Sequence, residues 1–398
     1  MAVIVLQEPR RKTSPPPSGC ALFALGFRPF YLLAALGALL LIPTWVAGVS
    51  GVMTFSPAVP LLVWHGHEMV FGFAVAVIVG FLYTAARNWT GLATPRNGAL
   101  AALCLLWLAG RVAMLTGPLW VAAVANLAFL PVAAVPLARV LIRARARRNY
   151  FVLGVLTALW LADAALFASL MGWIDVAFLD VLHAAIAVIT LLETVIGGRI
   201  IPGFTTNATK ATTVRHAPLD QAAILFTAFA LLGWAMQVAP EIAGILAAVA
   251  AVLQAWRGWL WRPRATLRHP LLWSLHVSHG WIVVALLLIA AQGVGLVGDS
   301  VVTHTLTVGA MAGLILAMIT RTALGHTGRM LRAGWAETTM YSLIVIALLA
   351  RVVPPLLWPD QYLHGLWAAA AAWCAAFALY LWRYAPMLWR PRADGMPD

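Results

Sequence analysis

Charge is the scarcest commodity in this sequence. Only 10% of its 398 residues are charged, 63% are hydrophobic, and mean hydropathy is +0.90. A soluble domain carries roughly 25% charged residues, so the balance excludes a soluble globular enzyme and marks an integral membrane protein. Cysteine is nearly absent as well. Cys20, Cys104 and Cys374 stand alone, with no CxxC, no zinc spacing and no CxxCH for covalent haem attachment. A haem bound by this chain would be non-covalent. Glycine-rich pieces such as "GVGLVG" follow no strand, so no dinucleotide fingerprint is present. The net charge of +13 invites a nucleic-acid reading, but the arginines are spread between apolar segments rather than massed in one region. The basic run over 139–148 suits lipid-facing charge instead, and no nucleic-acid partner is expected.

Long apolar runs are what the chain has in quantity. A helix needs about 20 apolar residues to cross about 30 Å of hydrocarbon. Twelve segments qualify: 28–49, 62–86, 98–116, 119–141, 150–171, 178–200, 218–238, 241–260, 270–292, 301–321, 336–353 and 363–384. The expected fold class is all-α, a polytopic protein of 12 transmembrane helices with the lipid bilayer as its solvent. Nineteen tryptophans fit that reading, because indole favours the headgroup boundary. Thr116–Pro118, Gly172–Trp173 and Ala239–Pro240 leave room only for tight antiparallel hairpins. Residues 1–18, rich in proline and charge, read as a loose tail, and 19–398 as a single transmembrane domain. The double arginine at 10–11 precedes an apolar stretch too long for a cleaved signal, so the first helix reads as retained.

Lys and Arg set the orientation. With both termini in the cytoplasm, 24 of the 26 basic residues fall on inner segments, and only Arg111 and Arg351 lie elsewhere. The outer loops hold Asp175, Glu241, Asp299 and Asp360. An even number of helices is required to keep that alternation.

Landmarks recur at an interval of about 120 residues. Arg28, Arg148 and Arg268 each precede a helix: the first, fifth and ninth. The second, sixth and tenth helices open with histidine at the outer side: His65 and His67, His183, and His304. Each of the three ends in an arginine four residues before a glycine: Arg87 and Gly91, Arg199 and Gly203, Arg321 and Gly325. The pattern reads as three pseudo-repeated four-helix units, approximately 19–142, 143–262 and 263–386, sharing an interior. A lone intramembrane histidine is more often a hydrogen-bonded structural residue than a ligand. Three at matched depth shift the balance toward function, since polar groups in a bilayer face the bundle interior. Imidazole suits haem iron and copper alike, and Arg87, Arg199 and Arg321 are candidates to bind a cofactor at the opposite ends. His65 and His67 are two residues apart and point about 160° from one another on a regular helix, so one is expected to ligate while the other hydrogen-bonds or faces the aqueous mouth.

A deeper set follows. His276 and His279 share a helical face at i, i+3, either chelating a metal or forming a polar seam. Glu193 is an intramembrane acid, a candidate catalytic carboxylate or proton carrier. His326, near the cytoplasmic edge, is a further candidate metal ligand, while Asp163 reads as a structural pairing residue.

The stretches "GFRPFYLLAAL", "WHGHEMVFGFAVAVIVGFLYTAARNWTG", "ETVIGGRIIPGFT" and "HTLTVGAMAGLILAMITRTALGHTGR" together resemble the NnrS family. That resemblance implies a bacterial inner-membrane protein of denitrification and nitric oxide stress, carrying haem b and copper and handling nitric oxide. It also implies an electron donor, a quinol or a redox protein. The architecture is reminiscent of haem–copper oxidase subunit I, whose haem ligands lie on its second and tenth helices. His65 or His67 with His304 suits that pairing, with His183 as a third imidazole nearby. The departure is plain: here the seventh helix has no histidine and the tenth has only His304. Three functions remain in play at this level. They are a haem–copper protein that binds or reduces nitric oxide, a transporter, and a non-catalytic nitric oxide-binding protein. A transporter favours broken helices at the midplane, and Gly197–Gly198 with Pro202 is the sequence's one good candidate for a break.

Overall fold

The structure, a computed structural model, describes residues 19–397; the expected tail over 1–18 lies outside the described residues. Every regular element among the described residues is helical. Twelve helices are long and apolar enough to cross a membrane. They are α1 Phe27–Val49, α2 Leu61–Thr90, α3 Asn97–Thr116, α4 Leu119–Arg143, α5 Phe151–Leu170, α6 Phe178–Thr209, α7 Ala217–Met236, α8 Pro240–Leu260, α9 Pro270–Gly293, α10 Asp299–His326, α11 Trp335–Leu357 and α12 Tyr362–Trp389. Each matches one segment expected from the sequence. Large apolar side chains on their outsides, such as Leu105, Val124, Ile245 and Val252, are exposed, the inverse of a water-soluble surface.

Local chemistry sets the helix ends. α8 and α9 open on Pro240 and Pro270, where the missing N–H would have no helical partner anyway. α2 stops at Gly91, whose φ of 69° is left-handed and favours glycine. α11 begins with the Glu337 carboxylate accepting from the Gly334 N–H at 2.6 Å. α6 extends furthest beyond expectation, 32 residues through Gly197–Gly198 and Pro202 to Thr209 without a break. The feature that suggested a transporter's broken helix is thus a continuous one.

The described residues fall into two compact units. The first takes the described part of Gln7–Ala185, Arg321–Leu331 and the described part of Phe377–Asp398; the second takes Ile186–Thr320 and Arg332–Ala376. In the first, α1 packs on α2, α3 on α4 and α4 on α5. In the second, α8 packs between α7 and α9, and α10 lies against α9 and α11. The most enclosed helices are α2 and α10, with 89% and 72% of their most apolar stretches buried, against 28% for α1. Both are interrupted by π-helical turns, α2 over Glu68–Ala74 and α10 over Thr305–Ala312. Such turns are rare and concentrate at functional sites.

The start of α1 meets the finish of α12 in the first unit, at what we term its terminal end. Arg28 is fully buried there. Its Nη1 donates to the carbonyls of Leu388 at 2.9 Å, Arg390 at 2.8 Å and Met387 at 3.4 Å. A guanidinium thereby satisfies carbonyls that the end of a helix leaves orphaned, and it faces the negative end of the helix dipole. The Tyr83 side chain fills the space beside Gly26, and the Asn97 N–H donates to the Phe23 carbonyl at 2.8 Å. The ends of α2 and the start of α3 therefore belong to the same face of the unit.

Candidate functional site: polar groups at the heads of α2 and α10

The head of α2 carries a chain of buried polar groups. His67 is fully buried and its neighbour Glu68 nearly so. His67 Nδ1 lies 3.2 Å from Glu68 Oε1, and Nε2 lies 3.2 Å from Asp163 Oδ1 on α5. Glu68 Oε2 is 3.5 Å from Arg111 Nε on α3, and Arg111 Nη2 donates to Asn126 Oδ1 on α4. Asn126 then donates to the Ala122 carbonyl at 2.8 Å. His67, Arg111, Asn126 and Asp163 each sit five to seven residues in from the helix ends Leu61, Thr116, Leu119 and Leu170. At 1.5 Å per residue they form one layer about 8–11 Å deep. A charge in such surroundings is costly unless paired, and here each faces an opposite charge or an amide.

The π turn adapts α2 to this network. Trp107 Nε1 donates to the Gly72 carbonyl inside the turn at 3.1 Å, and the Arg111 guanidinium lies 5.6 Å from the Trp107 ring. Gly72 has no room for a Cβ, because Arg111 and Glu68 Oε2 occupy that space. Arg111 also walls a water-sized cavity of about 10 Å³, together with Trp107, Asn126, Phe71 and Phe129.

The head of α10 is built differently. His304 Nδ1 lies 2.6 Å from the Ser300 carbonyl, and Thr305 and Thr307 donate to the carbonyls of Val301 and Thr303, both at 2.8 Å. Side chains that bond carbonyls one turn back compete with the helix ladder, and the ladder slips to π spacing immediately afterwards. Arg351 on α11 is buried and donates from Nη2 to Ser300 Oγ at 3.1 Å. Its guanidinium also lies 5.4 Å from the Tyr362 ring. Gly309, within the π turn, lets Trp281 and Leu348 approach closely.

Other candidates are placed as follows. His65 stacks on Trp45 with ring centroids 4.0 Å apart. His183 is buried, and its neighbour Leu182 fills the space beside Gly66, between the two histidines of α2. His304 belongs to the second unit, whereas His65, His67 and His183 belong to the first. His276 Nε2 lies 2.9 Å from Thr205 Oγ1, His279 Nε2 lies 3.5 Å from the Gln254 carbonyl, and Trp261 packs against both rings. Glu193 lies twelve residues before Thr205 on α6, about 18 Å of helix rise, so it is not gathered with that pair. Its Oε2 is buried and has no hydrogen-bond partner. Close by in sequence, the Thr194 carbonyl accepts from Arg257 at 3.2 Å, while Arg257 pairs with Asp220 at 2.7 Å and presses on Gly198. His326 packs on Phe27, centroids 5.6 Å apart, with Arg28, Arg87 and Arg392 within electrostatic reach of its ring. Arg321 is buried, and Arg87 and Arg199 are half-buried.

Among the described residues, no three His, Cys, Asp or Glu side chains converge so as to hold a metal ion unaided. At His67 the reason is visible: its carboxylates stand at opposite edges of the ring. Sequence reasoning left Glu68, Arg111 and Asn126 outside the candidate set and read Asp163 as merely paired. The available signal was that Arg111 is one of the two arginines breaking the charge asymmetry. The donor chemistry fits haem at His304 better than at His67. A ligating imidazole commonly gives its second N–H to a carbonyl or carboxylate, fixing the tautomer. His304 does so through Nδ1, which leaves Nε2 as the lone-pair nitrogen of the neutral ring, whereas both nitrogens of His67 face carboxylates.

A family model described as NnrS protein matches residues 21–392, nearly the whole chain. No curated protein is significantly similar to it.

Proposed function

The chain belongs to the NnrS family, and from that premise we propose that it is a haem- and copper-holding membrane protein that binds nitric oxide and reduces or otherwise detoxifies it. It would reside in the bacterial inner membrane with both termini cytoplasmic, and take electrons from a quinol or a redox protein. The observation that carries the haem part is the His304 ring, oriented by the Ser300 carbonyl at 2.6 Å at the head of a π turn. Haem held by His304 would supply an iron able to bind a diatomic ligand. The chain's own contribution is to fix the imidazole tautomer at the half-buried head of α10, whose most apolar stretch is 72% buried. Nitric oxide partitions into lipid, so an intramembrane site needs no aqueous channel. His276 and His279 are the proposed copper donors, sharing a face of α9. Glu193 Oε2, buried without a partner, is the group able to hold and release a proton in the apolar interior.

An optical spectrum of the purified protein tests this. A Soret band should respond to dithionite and then to nitric oxide, and His304→Ala should remove most of the haem while the protein stays inserted. Full haem occupancy in that variant ends the assignment, and no Soret band in the wild type ends the haem reading. Replacing His276 and His279 together by alanine should lose copper and keep haem. Reporter fusions at Arg147 and Asp360 should read cytoplasm and periplasm respectively; the opposite result reverses the orientation.

A further inference from the structure

Four stretches of chain bring arginine to the terminal end of the first unit. Arg28 heads α1, Arg87 lies near the end of α2, Arg329 follows α10, and Arg383, Arg390 and Arg392 lie along and beyond the end of α12. Direct bonds knit these stretches together. Besides the Arg28 clamp on α12, Arg392 Nη1 donates to the His326 carbonyl at 3.2 Å, and the Ala393 N–H donates to the Thr327 carbonyl at 2.9 Å. Burial first, and then the company of Arg28, Arg390 and Arg383, pulls the pKa of Arg329 below its ordinary value.

Acid is almost missing here. Of the thirteen acidic residues in the chain, Asp394 is the one at this end of the unit among the described residues. Its oxygens are taken by Arg392 at 3.0 and 2.6 Å and by the Met396 N–H at 3.1 Å. Asp394 therefore neutralises Arg392, and the Arg28 charge faces the carbonyl end of α12. Among the described residues, Arg329 and Arg390 are left as a cationic pair with no carboxylate on this face of the unit to answer them. Arg329 gives one bond, from Nη1 to the Thr327 carbonyl at 3.1 Å.

Position selects the kind of anion. Arg383 and Arg390 directly follow Trp382 and Trp389, which are 63% and 53% exposed, at the end of a membrane-spanning helix. Indole beside guanidinium at a helix end is the pattern of the headgroup layer, and guanidinium grips phosphate through paired N–H donors. We propose that this end of the unit binds the phosphate of an anionic phospholipid, with Arg329 and Arg390 as its donors. The site is separate from the histidines proposed to hold haem and copper, His304, His276 and His279, and does not rest on the nitric oxide reading.

Native mass spectrometry of the full-length protein should find phosphatidylglycerol or cardiolipin retained, and added phosphatidylglycerol should raise the Tm. Arg329→Gln combined with Arg390→Gln should cut retention about tenfold, a loss of the order of one charge-assisted contact, and abolish the Tm rise. Arg147→Gln, an exposed charge elsewhere in the same unit, should change neither. Three results overturn the proposal. They are undiminished retention in the glutamine pair, an equal loss in Arg147→Gln (diffuse charge), and an equal Tm rise from inorganic phosphate (a soluble-anion site). If the glutamine pair does not fold, Arg329→Lys with Arg390→Lys keeps the charge and loses the planar fork. Retention in that pair should fall several-fold, and unchanged retention again overturns the site.

Discussion

In α2 the π turn over Glu68–Ala74 is held by its neighbours: Trp107 bonds the Gly72 carbonyl and Arg111 lies on the bare face of Gly72. In α10 the π turn over Thr305–Ala312 follows carbonyls already bonded by the helix's own His304, Thr305 and Thr307. Each helix faces one buried arginine, Arg111 or Arg351, and these lie 240 residues apart, twice the interval from Arg28 to Arg148. Arg111 meets a carboxylate, an amide and an indole ring; Arg351 meets a hydroxyl and a phenol ring. One irregularity and one arginine therefore yield two chemistries. With acids present, both histidine nitrogens face carboxylates; at α10, the histidine Nδ1 rests on the Ser300 backbone carbonyl.

The largest predicted effect tests that difference. Arg111→Met strands Glu68 as a buried charge and should destabilise by about 3–5 kcal/mol, read from thermal unfolding in detergent. Arg351→Met removes a hydrogen bond to a neutral hydroxyl and should cost about 1–3 kcal/mol; equal losses would erase the contrast. Next in size, Gly72→Ala forces the guanidinium to move and should cost about 1–3 kcal/mol. That cost should shrink in the Arg111→Met background, because the two sites share one space; simple additivity would mean the turn, not the arginine, needs the glycine. The smallest effect is at α10. Thr305→Val and Thr307→Val should each cost about 0.5–1.5 kcal/mol while shifting the haem spectrum proposed to depend on His304. Spectra indistinguishable from wild type would detach the π turn from the histidine.

All twelve helices were legible because apolar runs of bilayer length leave few alternatives. Their ends were less so: α6 and α10 were expected to stop near Arg199 and Arg321, yet they continue to Thr209 and His326. Hydropathy marks where lipid ends, and a helix can carry on through arginine into the headgroups. The π turns left no trace in composition, since a slip of the ladder depends on Trp107 from another helix or on which hydroxyls turn back. The i, i+3 spacing of His276 and His279 was readable, but their bonds to Thr205 and the Gln254 carbonyl arise only from packing. Glu193 falls in the same deep set by sequence, since all three lie in apolar segments, but twelve residues of α6 separate it from Thr205, the partner of His276.

The Arg28 clamp also has a consequence in time. Arg28 and the carbonyls it holds are separated by 359–362 residues of chain. Synthesis runs at about 5–20 residues per second, so roughly 20–70 s pass between the arginine and its acceptors leaving the ribosome. Throughout that interval α1 is committed to the membrane while the end of the helix that completes it has yet to be made. Helix α1 is thus completed only when α12 is, and a nascent chain arrested before the end of α12 presents an arginine without its acceptors.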